Sequence, residues 1–334
     1  MTSPLYPVAV IGGGSAGVMA VLRTVLNNDS CLFFPGTAKD RKRSRAMWVR
    51  KIENMPGHLS YERGIEQPNN ETLEWIAQSS FAHNLQLMKN TGVESIKRDA
   101  DGIFHLTDHK GNVHLARHVI LCTGVMDVQP LIGGNIAPIL PYANLQTVDY
   151  CLRCDGHHIK DKATAILGHT KGAAWVAIML YERYRPEAMY ILLHGQPAQF
   201  DAETQELLDM YGIKVHSQEV SRVLGDPKKG MLTGFRLADG TGLHAEMAFV
   251  SMGMLIYNDL AKQLDVKLDE RGFVVADAQG LTSVPGFYVA GDVMAGTKKQ
   301  IYTAWDTAVN AADAINMKIR SARRVEDLKQ YRQN

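Results

Sequence analysis

Two stretches of the chain pass from an apolar run through a glycine turn into a helical period, and the other elements fall around them. The run 7-PVAVIGGG-14 reads as a buried strand, 15-SAGVMAVLRTVLNN-28 as a helix and 31-CLFF-34 as a second strand, the opening of a βαβ unit. Residues 36–45, GTAKDRKRSR, are polar and basic without apolar period and predict a loop. The segment 70-NETLEWIAQSSFAHNLQLMKNTG-92 has helical spacing, a Glu/Thr-rich start and a terminal glycine. GVESIKRD and GIFHLTD then alternate around Asp101-Gly102, which predicts a hairpin, and 118-HVILCTG-124 predicts a buried strand entering a turn.

The same signal restarts at 163-ATAILGHTKGAAWVAIMLYERY-184, followed by the strand 189-MYILLHG-195. A β-rich stretch, GMLTGFRLADGTGLHAEMAFVSMG, closes that unit, and 286-GFYVAGD-292 leads into an amphipathic helix from about 299 to 318. No low-complexity linker separates the parts, as when one domain is inserted into another. The expected fold is α/β, with two Rossmann-like three-layer domains, the second inserted into the first. Residues 1–126 and 256–334 form one domain and 127–255 the insert.

A length of 334 residues, 46% hydrophobic, is enough for two cores. The 36 basic residues nearly balance 35 acidic ones, so no global field favours nucleic acid or an anionic membrane. The first apolar run begins within a few residues and no later window is apolar over about 18 residues, which predicts a cytoplasmic protein without membrane contact. Four cysteines, at 31, 122, 151 and 154, are too sparse for a secreted disulfide scaffold, so the close pair calls for a chemical explanation.

Gly12, Gly14 and Gly17 form G-x-G-x-x-G between strand and helix. In that motif the first glycine permits the turn, the second lets backbone approach a pyrophosphate, and the third lets helix and strand pack closely. The acidic residue usual at the end of the second strand is missing, because Phe33-Phe34 runs into Pro35-Gly36. Cys151-x-x-Cys154 can close a redox disulfide, or with His157 and His158 supply half a zinc site, or be a turn with two inert thiols. With no second ligand cluster, no metal ligand is expected. Cys31 and Cys122 lie in apolar strands and read as core.

GGGSAG (12–17), ENMPG (53–57), LCTG (121–124), CLRCDG (151–156) and FYVAGD (287–292), in this order and spacing, resemble the low-molecular-weight thioredoxin reductases over nearly the full chain. The resemblance implies an FAD-dependent disulfide reductase acting as a homodimer on a thioredoxin-like protein or another disulfide. It implies that Cys154 faces the flavin, that Cys151 attacks the substrate disulfide, and that Asp155 gives and takes the proton. Asn54 would contact the flavin ring, Asp292 would hold the ribitol, and Gln300 would sit where a helix N-terminus points at the pyrimidine, favouring negative charge there. The cofactor-binding set it implies is Gly12, Gly14, Ser15, Ala16, Gly17, Arg45, Asn54, Ile96, Thr123, Gly124, Gly291, Asp292, Gln300 and Ile301.

The chain departs from that family where NADPH should bind. The second turn reads Gly168-His169-Thr170-Lys171-Gly172-Ala173, with a β-branched residue where backbone should meet the pyrophosphate. The next strand ends 194-HGQPAQ-199, without arginines for NADPH or a carboxylate for NAD. The resemblance then points to branches independent of pyridine nucleotides, with ferredoxin or a second flavin, such as a second FAD, as donor. The features to weigh are the basic residues from Lys39 to Arg45 with Lys298 and Lys299, for docking ferredoxin or, alternatively, for hydrogen-bonding FAD phosphates. For a second flavin they are the aromatic faces of Trp48, Tyr302 and Trp305, with Asp306 also replacing a small residue. An NADPH-dependent thioredoxin reductase with an atypical site, and a non-catalytic flavin redox sensor, stay open.

Overall fold

The computed structural model describes residues 4–45 and 48–333. It divides into two compact units, one of residues 1–47, 64–126 and 256–334 and one of residues 48–63 and 127–255. The sequence reading placed 48–63 in the first domain. In the structure this segment bonds to the second unit, with Lys51 N donating to Gln146 Oε1 at 3.0 Å.

The first unit opens with β1 (Leu5–Ile11), α1 (Ser15–Leu26), β2 (Cys31–Phe34), α2 (Ala38–Lys42), α3 (Glu66–Gln78), β3 (Leu85–Leu87), β4 (Val93–Arg98), β5 (Phe104–Asp108) and β6 (Val113–Leu121). The chain leaves through β7 (Val125–Asp127). The second unit follows with α4 (Leu140–Asn144), β8 (Val148–Asp149), α5 (Leu152–Asp155), β9 (Thr164–Leu167), α6 (Lys171–Tyr184), β10 (Met189–Leu192), α7 (Ala202–Met210), β11 (Lys214–His216), β12 (Val220–Asp226), β13 (Met231–Leu237), β14 (Gly242–His244) and β15 (Met247–Val250). It returns through β16 (Met254–Ile256) to α8 (Asp259–Lys262), β17 (Phe287–Val289) and α9 (Ile301–Gln333).

In the first unit the sheet order is β3-β2-β1-β6-β5-β4, with β17 also on β6. β1 is parallel to β2 and β6, and β17 is parallel to β6, while β4 and β5 are an antiparallel hairpin. The apolar runs are unbroken because both faces are covered. Val8 and Val10 pack with α1 and α9, whereas Ala9 and Ile11 pack with Phe287, Val274 and Leu260 on the other side. Arg23 on α1 and Asn27, the residue that caps its C-terminus, both bond Asp313 on α9, at 2.6 and 2.9 Å, which ties the two helices together.

The second unit repeats this plan. Its parallel sheet runs β11-β10-β9-β15-β8, and β12-β13-β14 form an antiparallel sheet beside it. Ile166, Ile191 and Phe249 face Ala173, Ala174 and Ile178 of α6, while Ala165, Leu192 and Ala248 face Phe235 and Val223 of the antiparallel strands. The predicted α/β fold with three-layer Rossmann-like parts is therefore the observed one.

Three local expectations change. Residues 38–42 are helical, not loop, because Thr37 and Asp40 cap each other: Thr37 N donates to Asp40 Oδ2 at 2.8 Å and Asp40 N to Thr37 Oγ1 at 3.2 Å. The helix expected from 70 starts at Glu66 with Pro68 in its first turn and stops at Gln78, where the Ser79 hydroxyl donates to the Ile76 carbonyl at 2.8 Å. The last helix runs to Gln333, far past 318, since nothing after Ile301 is glycine or proline. No helix among the described residues is long and apolar enough to cross a membrane.

Candidate active site

The glycine turn of the first unit shows three different reasons for its glycines. Gly12 has φ +115°, and a Cβ there would lie 2.3 Å from the Cys122 carbonyl oxygen. A Cβ on Gly17 would lie 1.7 Å from the Gly12 carbonyl, so Gly17 lets α1 pack against the turn. Gly14 is unlike both, with a φ of −78° open to any residue and nothing within 4 Å of its would-be Cβ. The space above Gly14 is not occupied by protein, and α1 starts there without a side-chain cap or an acidic residue in its first turn. Unclaimed amides and a positive helix end over an open surface are what a diphosphate needs, so these residues fit the ADP half of FAD.

Ser15 and Ala16 continue that turn and are buried, and Gly291, with φ +78°, would bring a Cβ within 2.8 Å of the Ala16 Cβ. Gly291 N donates to Thr307 Oγ1 at 3.0 Å, which sets the half-buried Asp292 beside the start of α9. Gln300 is buried at that start, accepting from Ala304 N at 2.9 Å, with Ile301 next to it. Thr123 donates to the Tyr257 carbonyl at 2.6 Å, and Gly124 turns at φ +72°. Ile96 is 1% exposed in the core and its amide is already taken by Gln263 Oε1 at 2.9 Å. Lys299 was absent from the expected set. Its ammonium donates to the Met294 carbonyl at 2.6 Å and Thr297 Oγ1 at 2.8 Å, and burial lowers its pKa to about 8 although Asp292 and Asp269 oppose this. Lys299 therefore points inward, and Arg45 contributes to the same positive surroundings.

Asn54 and both cysteines of the pair lie in the second unit. Cys151 and Cys154 form a disulfide, with Cα atoms 5.3 Å apart across α5. The pair is therefore not half a zinc site in this state. Asp155, the last residue of α5, is 4% exposed, and Asp149 and Asp127 nearby are equally buried. Tyr150 donates to Gln129 Oε1 at 2.6 Å, and burial pushes its phenol up. The other two cysteines, Cys31 and Cys122, are buried free thiols whose pKa burial raises, in keeping with core packing.

A polar cluster follows the disulfide, joining the histidines noted in the sequence to Glu53 and Asp149, which sequence reading missed. His158 Nδ1 bonds Asp149 Oδ2 at 2.8 Å, and His158 Nε2 and His157 Nε2 both meet Glu53 Oε2, at 2.9 and 2.6 Å. The Asp149 hydrogen bond, with help from Glu53, raises the His158 pKa to about 9, while the two histidines lower that of Glu53. Glu53 stands beside Asn54 in ENMPG, but only folding across about a hundred residues brings it to the histidines.

The second glycine turn is built differently from the first. Thr170 caps α6, accepting from Ala173 N at 3.4 Å, and Lys171 pairs with Asp201. Gln199 N donates to the His169 carbonyl at 2.7 Å, so the segment 196–199 bonds to the turn itself. Gly168 is required by the Ser251 carbonyl, 2.4 Å from its would-be Cβ, which is a packing reason and not a ligand one.

A sequence profile of the family described as "Pyridine nucleotide-disulphide oxidoreductase" matches residues 6–312. A thioredoxin reductase of Treponema pallidum is 25% identical over 311 residues, covering 92% of this chain and 95% of that one. A thioredoxin reductase of Streptomyces coelicolor is 27% identical, covering 93% and 92% of the two chains. Among solved structures, thioredoxin reductase from Streptococcus pyogenes superposes with a TM-score of 0.80 at 20% identity, over 96% of this chain and all of the other.

Proposed function

Because the chain belongs to the pyridine nucleotide-disulphide oxidoreductase family, we propose that it is an FAD-dependent disulfide reductase, passing electrons to Cys151–Cys154 and on to a thioredoxin-like protein or another disulfide. The observation that carries this reading is the closed Cys151–Cys154 disulfide with buried Asp155 directly behind it. FAD at the Gly12–Gly17 turn would supply the electron pair. The S–S bond takes that pair and two protons to become two thiols, with Asp155 as the proton relay. Cys151 as thiolate then attacks the substrate disulfide and releases one thiol. Cys154 attacks the Cys151 sulfur, which closes the bridge and releases the second. We read the protein as a homodimer of cytoplasmic type.

The donor in this reading is not NADPH or NADH. It rests on the self-capped Thr170, the Lys171–Asp201 pair and the absence of arginines at 194–199. The inward turn of Lys299 takes it out of any exposed basic surface for ferredoxin. Tyr302 is 43% exposed and Trp305 partly buried, one turn apart on α9, which suits an aromatic platform for a second flavin. Anaerobic titration tests the main reading. The protein should accept two electrons beyond those of its flavin, Cys154→Ser should remove those two while keeping FAD, and a wild-type count without them would refute it. Two flavins per chain would support the second-flavin donor, and one would leave ferredoxin.

A further inference from the structure

We propose that Glu53, His157 and His158 form a site for a divalent transition metal of the Zn2+ type on the second unit, with His158 held by Asp149 as its outer-shell carboxylate. Glu53, His157 and His158 each offer one ligand atom, all within 4.8 Å of one another, and Glu53 Oε2 meets Nε2 of both histidines. Two imidazole nitrogens and one carboxylate oxygen are the donor set of an open three-ligand zinc site, leaving a position for water.

The two rings converge because His157 and His158 are neighbours on the tight 3-10 turn Gly156–Ile159, where successive side chains are about 120° apart and not opposed as in a strand. Their centroids are 4.5 Å apart. A metal-bound histidine almost always donates its other ring N–H to a carboxylate or carbonyl, which fixes the tautomer. His158 has that arrangement ready: Nδ1 is held by Asp149, whose side chain is only 3% exposed, while Nε2 faces Glu53.

Access and spacing agree with this. The side chains of His157 and Glu53 are 48% and 34% exposed, so a hydrated ion can enter. Without an ion, one oxygen of Glu53 faces two imidazole nitrogens at 2.6 and 2.9 Å. A tetrahedral site with metal–ligand bonds of about 2.0–2.1 Å needs donors about 3.3 Å apart. Each Glu53–histidine distance must open by under an ångström, and Glu53 and His157, which can give that room, are exposed. The alternative trio of Asp149, Asp155 and His158 has both carboxylates buried and no such entry.

The site uses neither cysteine, so it stands or falls separately from the disulfide reading. The test uses the holoprotein with its disulfide closed, confirmed by thiol count, stripped with a chelator and titrated with Zn2+ by calorimetry and with Co2+ by absorption. The expected result is one metal per chain, with the d–d bands of low-coordinate Co2+. Glu53→Gln and His157→Ala should each weaken binding at least about tenfold, and Asp149→Asn by about 10–100-fold as an outer-shell change. His83→Ala should bind as the parent does, since His83, which bonds the Ser80 carbonyl at 2.9 Å, lies outside the cluster. Each variant is first matched to the parent in melting temperature. No uptake by the parent, or uptake unchanged in both Glu53→Gln and His157→Ala, would reduce the cluster to a hydrogen-bond network and overturn the site.

Discussion

Gly14→Val separates cofactor binding from folding more cleanly than any other change in the protein. At Gly14 the backbone sits at φ −78° and ψ −169°, which valine adopts readily, and no atom lies within 4 Å of the added Cβ. The apoprotein should therefore fold, with stability equal to the parent or up to about 1 kcal/mol higher, because a glycine leaves the unfolded chain. The same methyls occupy the space where the diphosphate approaches the α1 amides. Loss of two charge-assisted bonds, each about 1.5–3 kcal/mol, weakens FAD by roughly 3–6 kcal/mol, a factor on the order of 10²–10⁴ in Kd. Gly17→Ala is the contrast, since its Cβ would fall 1.7 Å from the Gly12 carbonyl and must disturb the turn itself. The assay is flavin content after purification, FAD titration of the apoprotein, and urea unfolding of all three proteins. Full FAD in Gly14→Val would refute the assignment of this turn, and a Gly14→Val apoprotein as unstable as Gly17→Ala would refute the geometric argument.

Other expectations follow from separate residues. Mixing with millimolar NADPH should leave the oxidised flavin band intact in anaerobic stopped flow while dithionite bleaches it. A pair of missing phosphate bonds costs a factor on the order of 10²–10⁴, and fast bleaching would restore an ordinary nucleotide site. Cys31 and Cys122 should be silent to a thiol reagent in the native oxidised protein, and two thiols should appear on unfolding without reductant, since both are buried and free. Early labelling of either would contradict their core placement. His118 Nδ1 is buried without a hydrogen-bond partner among the described residues, and burial, aided by Lys318 and Arg117, lowers its pKa to about 4. Its neutral form is the one the fold accepts, so it costs nothing above about pH 6.5. Stability then falls as pH drops from about 6.5 to 4, by at most about 3 kcal/mol. His118→Gln should flatten that part of the pH profile of urea unfolding, and an unchanged slope would refute the attribution.

Much of this protein could be read directly from residue order. Each glycine turn joins a strand to a helix within about twenty residues, so period, apolar runs and turn chemistry suffice to locate both Rossmann-like parts, the 151–154 pair and the Gly12–Gly17 motif. Local competition was harder to read: the Thr37–Asp40 cap and the Ser79 stop each turn on one or two hydrogen bonds that compete with a weak period. Three further features were decided only by the tertiary structure. The crowding at Gly12, as against the open space over Gly14, depends on the Cys122 carbonyl, which comes close only when β1 pairs with β6. The inward course of Lys299 depends on where the Met294 carbonyl lies. Glu53, Asp149, His157 and His158 belong to three separate local elements, and no periodicity links positions about a hundred residues apart. Their convergence comes from long-range packing, which sets side-chain distances that local propensity does not contain.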